Sequence, residues 1–122
     1  MTNDWPELAK ALTADIRNLR VGAPDVMKAF SSMATSAGAT GALDARTKEL
    51  VALAVSVAVR CDDCIALHAK AAAERGATRE EILETLSMAI YMGAGPSVMY
   101  ASHALAAFTQ FEAGKNPQPQ SA

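Results

Sequence analysis

Residues 44–59 read DARTKELVALAVSVAV, and from Leu50 to Val59 every residue except Ser56 is apolar. The valines would suit a buried strand. Asp44, however, is a good helix N-cap, and the alanine and leucine content favours helix, so the segment is read as a helix. A helix that is apolar on every side belongs in the middle of a protein, with other helices around it.

Working outward, the same punctuation recurs. Toward the N-terminus, Gly38 to Leu43 is a small-residue loop. Before it a helix from Pro24 to Gly38 carries Val26, Phe30, Met33 and Ala37 at spacings of four, three and four. Before that, a helix opening near Pro6 aligns Trp5, Leu8, Leu12, Ile16 and Leu19 and ends at Val21-Gly22-Ala23. Toward the C-terminus, a fourth helix begins around Cys61-Asp62-Asp63-Cys64, where two acids suit the positive end of the helix dipole, and ends at Gly76. Thr78-Arg79-Glu80-Glu81 has the pattern of a capping box and starts a fifth, with Ile82, Leu83, Leu86, Ala89 and Ile90 inward and Gly93 as its terminator. A sixth opens at Pro96 and runs to about Glu112. No run of alternating β-branched residues lies between turn signals, so the fold class is all-α with about six helices. Residues 1–113 form one helical domain, and residues 114–122, which have no apolar periodicity, are expected to be a disordered tail.

Composition narrows the function. A chain of 122 residues with 51% apolar content supports one core. A net charge of −2 with no Lys/Arg cluster argues against a nucleic-acid partner. The N-terminus lacks a basic start followed by an apolar run, and the longest strongly apolar stretch, Leu50 to Val59, is about half a bilayer crossing. The expectation is a cytoplasmic protein without a membrane partner. Twenty-seven alanines stand against three Phe, two Tyr and one Trp. Helices so poor in bulk pack thinly alone, and burying leftover apolar faces against further copies is the natural remedy, so a homo-oligomer is expected.

The chemistry is concentrated on the fourth helix. Cys61, Cys64 and His68 stand at i, i+3 and i+7, which places two thiols and an imidazole on one stripe. In a reducing compartment a C-x-x-C pair points to redox chemistry or to metal. Metal would draw on Cys61, Cys64 and His68 with Glu49 or His103 as a fourth ligand. Structural zinc sites, though, commonly split their ligand pairs across a turn, whereas here three candidates share one helix. No metal and no bound cofactor are therefore expected. If the third and fourth helices run antiparallel about a turn near Arg60, Glu49 is eleven residues before that turn and His68 eight after it. At 1.5 Å per residue, a long Glu side chain then reaches the imidazole. A carboxylate-oriented imidazole can take a thiol proton, and only the thiolate is a competent nucleophile. Cys64, one turn from His68, is the better placed nucleophile, and Cys61 is the resolving thiol. Asp62 and Asp63 act against thiolate formation, whereas the helix N-terminus and a protonated His68 favour it. His103, in Ala101-Ser102-His103-Ala104, has no partner at a readable distance and is taken as a candidate for lining the site or a subunit contact.

The spacing Glu49-x11-Cys61-x2-Cys64-x3-His68-x7-Gly76 resembles the signature of the alkylhydroperoxidase D-like branch of the carboxymuconolactone decarboxylase family. Leu43 to Glu49 upstream and Met92-Gly93-Ala94-Gly95-Pro96 downstream are also similar to it. The resemblance spans roughly residues 40–112. It implies an all-helical fold assembling as trimers or hexamers, and reduction of a small hydroperoxide substrate. Cys64 would be the peroxidatic thiol, Cys61 the resolving thiol, and Glu49 and His68 the proton relay. It also implies re-reduction by a thiol reductant protein, lipoylated or thioredoxin-like. Asp63 departs from the pattern, since the best-known peroxidases of this branch place a second His immediately before the second Cys. The decarboxylases proper of the family generally lack the cysteine pair, which argues against lactone decarboxylation.

Overall fold

The computed structural model describes residues 3–115, and within them the regular structure is helical throughout. Five helices follow in order: α1 (Trp5–Gly22), α2 (Pro24–Gly38), α3 (Ala45–Ala58), α4 (Asp62–Glu74) and α5 (Arg79–Lys115). The expected fifth and sixth helices are continuous in α5 but for a break at Ala94, whose φ of 53° and ψ of −137° are not helical. Pro96 explains the break. It has no N–H to donate, and its ring would clash with the carbonyl four residues back. Gly93 permits the bend to be tight, because a Cβ there would collide with the buried Ser97 side chain. The second half of α5 also runs further than expected, to Lys115, whose ammonium donates to the Ala73 carbonyl at 2.7 Å. Gly114 and Lys115 are thus helical, and the remainder of the expected tail lies outside the described residues.

Every helix but α2 starts where a side chain satisfies one of the first N–H groups. Asp4 caps α1 by accepting from the Glu7 N–H at 3.1 Å, and Asp44 caps α3 by accepting from the Thr47 N–H at 2.7 Å. That second bond holds the exposed Asp44 carboxyl below its ordinary pKa. At α5 the Glu81 N–H donates to Thr78 Oγ1 (3.1 Å) and the Thr78 N–H donates to Glu81 Oε1 (2.8 Å), the reciprocal pair of a capping box.

Helices α3, α4 and α5 pack against one another, α1 lies on α4 and α5, and α2 touches α1 and α3. The core is built from Leu53 and Val57 of α3, Ile65, Ala66, Ala69 and Ala72 of α4, and Ile82, Ala104 and Phe108 of α5. Alanines at so many core positions bring the helix axes close. Trp5 closes one end of this core. It is 1% exposed, its backbone N–H donates to Gln110 Oε1 at 2.8 Å, and Gln110 Nε2 in turn donates to the Asn3 carbonyl at 2.9 Å.

The stripe Val26, Phe30, Met33 and Ala37 of α2 is exposed, and no residue of α2 is buried, because the helix lies at the margin of the bundle. One expectation about an apolar face is corrected. Helix α3 is central on one side only, since Val51, Val55 and Val59 on its other side face out. Among the described residues no helix is long and apolar enough to cross a membrane.

Candidate functional site

The turn between α3 and α4 is formed by the backbone. The Arg60 N–H donates to the Val57 carbonyl at 3.1 Å and the Cys61 N–H to the Ser56 carbonyl at 3.0 Å, the paired bonds of a Schellman motif, with Arg60 at φ 58° in the left-handed position. Gly76 does the same after α4, at φ 83°. The compact turn delivers Cys61 directly to the N-cap of α4, where its Sγ accepts from the Cys64 N–H at 3.1 Å. The two cysteines are joined as a disulfide, with Cα atoms 5.2 Å apart, at the positive end of the α4 dipole. Both are half-buried.

His68 follows Cys64 by one turn on the same helix. Its Nδ1 lies 2.7 Å from Glu49 Oε2 of α3, so the reach across antiparallel neighbours is realised. An ionised carboxylate can only accept, so Nδ1 carries the hydrogen and Nε2 is left to take or give a proton. The Glu49 side chain is the less exposed partner, at 23% against 37% for His68.

A second imidazole–carboxylate pair lies at the same end of α4. His103 Nδ1 of α5 is 2.8 Å from Asp62 Oδ1, and the His103 ring is packed between Trp5 and Tyr100, with centroids 5.9 and 5.1 Å away. Asp62 is therefore a structural partner that the sequence reading treated only as a charge beside the thiols. Forty-one residues separate it from His103, and no helical spacing announces such a contact. Asp63, its neighbour, is exposed to solvent. Among the described residues no group of three or more His, Cys, Asp or Glu side chains has an arrangement that could hold a metal ion.

Two cavities open on the bundle, and none of Cys61, Cys64, His68 or Glu49 lines either. A groove of about 670 Å³ between α1, α4 and the end of α5 is bordered by Lys10, Arg17, Lys70 and Lys115. A smaller one of about 400 Å³ is lined by Val55, Arg60, Met88, Met92 and Ser97, and so opens beside the turn that carries Cys61.

Fold and site together define a small helical-bundle protein that presents a C-x-x-C disulfide at a helix start, backed by a histidine–glutamate pair. The model of the carboxymuconolactone decarboxylase family matches residues 24–107, and the chain belongs to that family. A family member of known structure from Legionella pneumophila is 46% identical, covering 91% of this chain and 99% of its own, with a TM-score of 0.88. A member from Thermotoga maritima, described with a suggested role in the antioxidative response, is 29% identical over 95% of this chain and 99% of its own, with a TM-score of 0.79. An uncharacterized protein of Cupriavidus necator is 39% identical over 113 residues, 93% of this chain and all of its own.

Proposed function

We propose that the protein is a thiol-dependent hydroperoxide reductase of the alkylhydroperoxidase D-like kind. The observation that carries this reading is the Cys61–Cys64 disulfide on the first turn of α4, one turn before an imidazole that Glu49 holds at 2.7 Å.

In the reduced protein His68 Nε2 takes the Cys64 proton, and the thiolate attacks the outer oxygen of a hydroperoxide. The O–O bond breaks, the alcohol leaves with the proton returned by His68, and Cys64 becomes a sulfenic acid. Cys61 then gives up its proton and attacks that sulfur, the S–O bond breaks, and the hydroxyl leaves as water with that proton, giving the disulfide. Cys61 at the N-cap is suited to this step, because the Cys64 N–H that its sulfur accepts also stabilises a thiolate there. Two electrons from a dithiol carrier, a lipoylated or thioredoxin-like protein, restore both thiols by disulfide exchange. The cycle needs neither metal nor bound cofactor. The exposed apolar face of α2 supports assembly as a trimer or hexamer.

The test is the intact mass and free-thiol count after one equivalent of an organic hydroperoxide. The wild type should lose two thiols rapidly, Cys61→Ser should accumulate a sulfenic acid on Cys64, and Cys64→Ser should be inert. Wild-type thiols that stay free under these conditions would overturn the reading.

A further inference from the structure

The cycle above leaves one feature of the site unused. Asp62 places a carboxylate between the two cysteines in sequence, on the first turn of α4, where its charge opposes formation of a thiolate on either side. That carboxylate is not left to solvent. Its Oδ1 accepts a hydrogen bond from His103 of α5, 41 residues away, at 2.8 Å. The imidazole making this bond is fixed by Trp5 of α1 on one side and Tyr100 of α5 on another. One imidazole thus links the carboxylate of α4 to rings of α1 and α5, more structure than a first-turn acid with no partner has.

We propose that His103 is a positioning residue for the cysteine pair: by donating to Asp62 it ties down the carboxylate between Cys61 and Cys64 and blunts its opposition to thiolate formation. The ionisable groups around the pair come from several elements. Asp62, Asp63, Cys64 and His68 belong to α4, with Cys61 at its N-cap, Glu49 to α3, Tyr100 and His103 to α5, and Arg60 to the preceding turn, while α1 contributes Trp5, which does not titrate. Asp63 is solvated and the His68–Glu49 pair serves proton transfer, so Asp62 is the acid beside the thiols whose charge a fixed hydrogen bond offsets. His103 and Asp62 are 37% and 40% exposed, so the effect is screened and falls below that of a buried charge pair. The inference rests on the thiol chemistry of the proposed function but not on the identity of the oxidant.

The experiment is the pH dependence of iodoacetamide alkylation in the fully reduced protein. It reports thiol acidity whether or not peroxides are substrates. His103→Phe keeps a ring between Trp5 and Tyr100 but removes the donor. The alkylation midpoint should rise by about 0.5 to 1 pH unit, a roughly 3- to 10-fold slower reaction below the midpoint. His103→Gln, which retains an N–H donor, should recover part of the shift. Asp62→Asn should lower the midpoint, and His103→Phe added to Asp62→Asn should change nothing further. An unmoved midpoint in folded His103→Phe, or an equal shift in the Asp62→Asn background, would overturn the assignment and leave His103 a packing residue. A hydroperoxide-inert wild type with the expected shifts would instead overturn the proposed substrate and leave this inference standing.

Discussion

Glu49 and His68 are nineteen residues apart in the chain and 2.7 Å apart in space, and in the proposed cycle the imidazole acts as a base only while the carboxylate fixes its tautomer. Glu49→Gln keeps the shape and an acceptor oxygen but removes the charge that stabilises an imidazolium. We expect thiol oxidation by hydroperoxide to slow by about 10² or more, with thermal stability little changed because the pair is half-exposed. Stopped-flow thiol consumption and a melting curve read the two effects separately. This contact was legible in advance, because two helices joined by a short turn make an offset countable along the sequence. The His103–Asp62 contact was not. It depends on where α5 crosses α4, which the break at Ala94 sets and no residue count records.

Among the elements, the hinge between α3 and α4 carries a cost that the chain could have avoided. Arg60 holds a left-handed φ of 58°, where a side chain is disfavoured by roughly 1 to 2 kcal/mol, while the equivalent place after α4 is occupied by Gly76. Arg60→Gly should raise stability by about 0.5 to 1 kcal/mol and the melting temperature by a few degrees, read by calorimetry on the oxidised protein. Asp44, Thr78 and Gly76 marked their boundaries in the sequence because a cap is a local hydrogen bond between near neighbours. The continuity of α5 across residues 93–96 was not marked. Gly93, Gly95 and Pro96 suit the end of one helix and the start of the next, and only packing decides that the two halves continue with a break at one residue.

Across the whole molecule, apolar surface is distributed as though the chain were not alone. Phe30 is 54% exposed and Met33 61%, on a helix with no buried residue at all. A side chain of that size gains about 1.5 to 3 kcal/mol when buried, so several together can hold subunits firmly. Sedimentation of the wild type should therefore give a species larger than the monomer, a trimer or hexamer on the proposed assembly, and Phe30→Asp should shift it to smaller species while helical content persists. A wild type that sediments as a monomer would remove the oligomer from the account. Helical periodicity made the α2 stripe readable from the sequence, but not what it faces. Periodicity reports that a face is apolar, and the covering may come from the same chain or from another.

The anchoring of Trp5 has a further consequence. It is the only tryptophan in the sequence, it is almost wholly shielded from water, and its ring lies 5.9 Å from that of His103. The protein therefore contains its own fluorophore, in contact with one of the residues beside the disulfide. A change at the cysteines that reaches His103 through Asp62 should alter the light emitted from the native chain, with no dye attached.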